Sequence, residues 1–153
     1  MSSHFNNLRA TRQKFIYFLE ELSLDALNEI PQNFNNNIFW NIAHAIVTQQ
    51  LLMYRMTGLK GYVDQTYIDS FKKGTKPESK YSQEQLLYIK EHIFELLDRT
   101  EQDYKNNVLE PYQTYETSYG IVLNSVEDAL IFNNMHEALH LGYIMAQRKA
   151  IAV

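Results

Sequence analysis

His136 and His140 stand four residues apart in the stretch Asn134-Met135-His136-Glu137-Ala138-Leu139-His140-Leu141-Gly142. On a helix, residues at that spacing project from one face a turn apart, so two imidazoles can reach a single ion. The same letters match the His-Glu-x-x-His motif of zinc peptidases, in which the Glu acts as general base. The chain is short for that chemistry, offers no recognisable third-ligand pattern downstream, and shows no sheet to hold a peptide. Glu137 is one step round the helix from His136 and reads as a solvated residue. A third histidine, His44, lies among Ile42, Ala43, Ala45 and Ile46. An imidazole in such surroundings is costly to bury unless its nitrogens find partners. Trp40, His44 and Thr48 share one helical stripe, and Asn41 lies close to it. If this face meets that of His136 and His140, three neutral imidazoles converge. Such a set suits Zn²⁺, Ni²⁺ or Fe²⁺ and leaves at least one position for water or substrate. The competing reading is that these are core histidines bonded to backbone or carboxylates, with Asn133 and Asn134 as partners for the pair.

The remaining histidines read differently. His4 sits near the chain start, and His92 lies among Lys90, Glu91 and Glu95, as a surface residue would. The chain has no Cys, so thiolate ligands, thiol nucleophiles and disulfides are excluded, whereas an external thiol is not. Lack of Cys fits a reducing cytoplasm. Asp128 reads as a helix-start charge, and no general base can be named.

Four segments must position these residues. The first spans roughly Ser3 to Leu24, with Phe5, Leu8, Phe15, Phe18, Leu19 and Leu22 on one face. Asp25 to Phe34, with Pro31, reads as a connection. The second helix opens near Asn35–Asn37, where an Asn can cap free amides. It stops before Gly58, which suits the left-handed position after a helix. Gly58 to Tyr81 is a long crossover or lid, with a short helical turn expected at Tyr67–Phe71. Ser82-Gln83-Glu84-Gln85 is a capping box that starts the third helix, which fades near Asn106-Asn107. Tyr112 to Asn124, rich in Tyr and Thr, reads as a short hairpin. Ser125 caps the fourth helix, which carries Glu127 and Asp128 in its first turn and Arg148 and Lys149 in its last, as the helix dipole favours. The expected fold is all-α: a single-domain four-helix bundle over residues 1–153, with a long crossover between its second and third helices.

Composition narrows the partners. With 153 residues, 45% hydrophobic and 21% charged, the chain can bury one core. Net charge is −4 with no basic stripe, which argues against nucleic acid. No apolar run approaches the ~20 residues of a membrane span. The start, Met1-Ser2-Ser3-His4-Phe5, lacks the basic and apolar regions of a signal peptide, so a cytoplasmic setting is expected.

The helix plan, the Phe39-Trp40-Asn41-Ile42-Ala43-His44 stretch and the Asn134–Gly142 stretch together resemble the DinB/YfiT-like superfamily over nearly the full chain. The first stretch resembles that family's W-x-x-x-H and the second its H-x-x-x-H-x-G. The resemblance implies a four-helix bundle in which His44, His136 and His140 hold a divalent metal, often nickel or zinc. It also implies a homodimer. Relatives often carry Gln after that last Gly; Tyr143 stands there in this chain, so no role is borrowed for it. Characterised relatives include S-transferases and isomerases that use low-molecular-weight thiols. Two readings of different class follow. One is a metal-dependent transferase, or a hydrolase, acting on a small molecule, with Trp40, Tyr67, Phe71 and Tyr119 as candidate pocket lining. The other is a non-catalytic bundle in which a metal only pins two helices and the protein serves as a dimeric interaction module.

Overall fold

The computed structural model describes residues 2–151. Four long helices carry the architecture: α1 (Ser2–Glu21), α3 (Ile38–Tyr54), α5 (Gln83–Lys105) and α6 (Val126–Ala150). Two short helices, α2 (Leu24–Asn28) and α4 (Gln65–Phe71), lie in the connections. The fold is the expected helical bundle. The connection after α1 is not wholly irregular, however, because Ser23 accepts a bond from Ala26 N–H and starts α2. α1 itself ends at Glu21, slightly short of the expected boundary.

Local signals set most boundaries. Asn37 Oδ1 accepts from Trp40 N–H at 2.8 Å and caps α3. A 3₁₀ turn, Arg55–Thr57, continues α3 to Gly58, which takes φ +74° where a side chain would be strained. The capping box of α5 is complete: Ser82 Oγ accepts from Gln85 N–H, and Gln85 Oε1 accepts from Ser82 N–H. Ser125 caps α6 by accepting from Asp128 N–H. The expected hairpin is a two-stranded antiparallel pair, β1 (Tyr115–Glu116) and β2 (Val122–Leu123), with Tyr115 opposite Leu123.

α3 is the central helix. It is apolar nearly all round, as a helix surrounded by others must be, and nearly every residue from Ile38 to Tyr54 is buried. α6 packs mainly on α3 and α1, and α5 on α1 and α3. One core cluster gathers Phe15, Phe39, Ile42, Ile46, Phe71, Ile89 and Ile93; another gathers Phe5, Leu8, Met53, Leu97 and Leu130. α4 folds the crossover back onto α3, with Phe71 fully buried and its ring tilted against those of Phe39 and Tyr81. Among the described residues, no helix is long and apolar enough to cross a membrane.

Candidate metal centre

The packing of α6 on α3 brings His44, His136 and His140 together. Their ring centroids lie 5.3 Å (His44–His136), 4.9 Å (His44–His140) and 4.5 Å (His136–His140) apart. Each can offer one ring nitrogen, and these nitrogens lie within 4.8 Å of one another. A tetrahedral ion bound at ~2.0–2.1 Å holds its nitrogens ~3.3 Å apart, so only small side-chain rotations separate this arrangement from a bound one. Among the described residues this is the one group of His and carboxylate side chains so arranged, and it contains no carboxylate.

The orientation of two rings follows from groups that can only accept. His44 Nδ1–H donates to the Phe71 carbonyl at 2.5 Å, which makes Nε2 the lone-pair nitrogen, the one able to bind a cation. Thr48 Oγ1 lies 3.3 Å from that Nε2. His140 Nδ1–H donates to Asn41 Oδ1 at 2.8 Å. Asn41 cannot flip, because its Nδ2, with two N–H groups, faces three acceptors: the Asn37 carbonyl, Asn36 Oδ1 and Gln147 Oε1. Gln147 is fixed in turn by donating from Nε2 to the Asn36 carbonyl at 2.7 Å. Backbone carbonyls at the start of α3 therefore set the tautomer of His140 and turn its Nε2 to the cluster, 3.2 Å from His136 Nε2. Outer partners of this kind are a recurring feature of metal-binding histidines. Among the described residues, His136 Nδ1 is buried and finds no partner, and neither does Asn133 Oδ1, three residues before it on the same helix.

Burial keeps the rings neutral. Together with the smaller effect of neighbouring imidazoles (His44 on His136; His136 and His44 on His140), it pushes His136 and His140 down to about 3. His44 is also lowered by burial, against the opposing effect of its bond to Phe71. Neutral, lone-pair-bearing imidazoles are the form that binds a cation, so the donor set fits a divalent ion.

The structure corrects several expectations. Glu137 is not solvated: it is fully buried and paired with the equally buried Arg12 of α1, at 2.8 Å. Arg12 also donates to the Ile93 carbonyl and to Gln49 Oε1, and Asn133 Nδ2 donates to Glu137 Oε1. The Glu of the apparent peptidase motif is thus committed to an ion pair. Asn133 and Asn134 do not serve the histidines, since Asn134 bonds the Leu130 carbonyl; the partners are Asn41 and the Phe71 backbone. Sequence reasoning missed Asn41 in this role, although its place one turn before His44 on the same helix was the available signal. Arg12 gave no signal at all.

Of the candidate lining residues, Trp40 stacks on His44 at 4.5 Å and donates its indole N–H to Thr75 Oγ1. Phe71 contributes its carbonyl. Tyr67 stacks on Tyr88 instead. Tyr119 is half-exposed and reaches the centre only through Phe132, whose ring lies 6.2 Å from His136. His92 is part-buried rather than fully at the surface; it stacks on Tyr88 and bonds that residue's carbonyl, outside the cluster. A cavity of about 390 Å³ lies elsewhere, between Phe5, Tyr104, Leu109 and Val126.

Comparison with curated proteins finds no match. One family description does match, over residues 7–144, a span that includes all three histidines, Asn41 and the Arg12–Glu137 pair. The chain belongs to the DinB superfamily.

Proposed function

We propose that the protein is a metal-dependent transferase that joins a low-molecular-weight thiol to a small electrophile, with His44, His136 and His140 holding Zn²⁺ or Ni²⁺. The observation that carries the reading is the convergence of three neutral imidazoles with no carboxylate among them. Such ligands leave the ion its full charge, and a borderline-soft ion of this kind supplies the acidity that turns a bound thiol or water into a nucleophile near neutral pH. The chain's own residues hold and orient. The Phe71 carbonyl and Asn41 fix the rings, and Trp40 covers one face of His44. Glu137, tied to Arg12, is not free to take a proton. A thiol, which loses its proton to solvent without a strong base, suits this site better than peptide hydrolysis does. The carbon–sulfur bond forms as the electrophile's leaving group departs.

Hydrolysis of a small substrate is the nearest second reading, since the same acidity serves water. The test is conjugation of a panel of low-molecular-weight thiols to an alkyl or aryl halide, with protein loaded with zinc or nickel. Turnover that is lost in His136→Ala supports the proposal. No turnover across the panel with metal bound overturns it and favours the non-catalytic bundle.

A further inference from the structure

Thr48 turns its hydroxyl away from the usual acceptor. A hydroxyl inside a helix commonly bonds back to the carbonyl four residues earlier. Two others in this chain do so, Thr100 to Leu96 and Ser70 to Thr66, each at 2.8 Å. Thr48 instead meets the ring of the residue at that spacing, His44, whose Nε2 lies 3.3 Å away. His44 Nδ1–H is committed to the Phe71 carbonyl, so Nε2 carries the lone pair and the Thr48 O–H donates to it. The hydroxyl therefore stands at the one atom of His44 that can bind a cation. It also stands at the edge of the centre. From Ile38 to Tyr54 every residue of α3 is buried except Thr48 and Leu51, which lie one turn apart on one face. His44 and His136 are buried, while His140 is partly exposed. The central helix thus reaches solvent beside its own ligand nitrogen, and Thr48 is the polar group at that point.

We propose that Thr48 binds the sulfur of the thiol substrate, donating its hydroxyl proton to the thiolate and so aiming it at the electrophile. The inference rests on the metal-dependent transferase reading and deepens it. In the loaded protein the His44 lone pair is no longer open to Thr48, so the hydroxyl needs another acceptor. Its partly exposed position lets a small molecule reach it, and a thiolate is the acceptor that this chemistry brings. A hydrogen bond to an anionic sulfur is charge-assisted. It favours thiolate over thiol and fixes the direction of the sulfur. The other donors beside the cluster are committed elsewhere. The Trp40 indole N–H donates to Thr75 Oγ1, and Asn41 Nδ2 faces acceptors of Asn36, Asn37 and Gln147. No carboxylate belongs to the cluster to compete for the Thr48 proton.

The test uses the full chain loaded with cobalt in place of zinc, because a thiolate held at cobalt gives a charge-transfer band in the near ultraviolet. 2-Mercaptoethanol is the probe. The chain lacks Cys, so any such band comes from the probe. Thr48→Val keeps the shape and removes the donor, whereas Thr48→Ser keeps the donor. Circular dichroism checks that both variants fold, and competition with a chelating dye measures zinc. Thr48→Val should bind zinc no more weakly than wild type, since the hydroxyl that competed for His44 is gone. Its dissociation constant for the probe should rise about tenfold, and its band should move to longer wavelength, as for a sulfur that has lost a donor. Thr48→Ser should restore both. Wild-type affinity and band in Thr48→Val overturn the inference and leave the transferase reading standing. Weaker zinc binding in Thr48→Val also overturns it, by making Thr48 a support of His44 alone. So does a Thr48→Ser protein that behaves like Thr48→Val. A cobalt-loaded wild type that shows no band at millimolar probe overturns the inference and the thiol reading together.

Discussion

Replacing Arg12 by Met should be among the most destabilising single changes in this chain. Arg12 and Glu137 are both fully buried, 2.8 Å apart, and lie 125 positions apart in the sequence. Removing the guanidinium leaves Glu137 charged in the core with Asn133 as its remaining donor, and strips the Ile93 carbonyl of its 2.7 Å bond. Breaking a buried pair by removing one partner costs ~3–5 kcal/mol. That is a large share of the ~5–15 kcal/mol by which domains are stable. For a chain of this length it corresponds to a melting temperature lowered by roughly 10–15 °C. Arg12→Met with Glu137→Met removes both charges together, leaves only neutral groups unpaired, and should cost less than either single change. Urea denaturation of the metal-free protein, followed by circular dichroism through a double-mutant cycle, reads this directly. A single variant within ~1 kcal/mol of wild type, or a double variant equal to the sum of the singles, would refute the reasoning.

Two further outcomes follow from the cluster. Asn41→Leu removes the acceptor that fixes His140, and a competition titration with a chelating dye should show zinc bound ~10–100-fold more weakly; unchanged affinity would mean that Asn41 is only packing. The second concerns acid. The histidines titrate near 6.5 in the unfolded chain, but burial holds His136 and His140 at about 3 and lowers His44. The unfolded state therefore binds protons that the native state does not, so stability is full above pH ~6.5 and falls as pH drops toward the native values. The urea midpoint of metal-free protein should decline between about pH 7.5 and 5, and less steeply in His136→Asn. A midpoint independent of pH over that range would contradict the account.

What the sequence disclosed was what neighbouring residues decide. Asn37, Ser82 and Ser125 cap the helices that follow them, and Gly58 ends the 3₁₀ turn that continues α3, because each acts within a turn of itself. The His136/His140 pair was legible for the same reason. The placement of His44 beside it depends on how α3 meets α6 and could be stated only conditionally. Partners drawn from distant segments were illegible. Asn41 lies 99 positions from His140, and the Phe71 acceptor is a backbone carbonyl with no sequence signature. Glu137 looked solvated because no local pattern announces an arginine from α1. α2 was missed although Ser23 followed by Asp25 is a start signal, since five residues are too few to show helical periodicity.

His44 of α3 and His136 and His140 of α6 are proposed to form one metal site. Elemental analysis of protein purified without chelators tests it most directly, on the wild type and on His44→Ala, His136→Ala and His140→Ala. One divalent ion per chain is expected in the wild type, and loss of stoichiometric binding in each variant. Full occupancy in all three variants would contradict it.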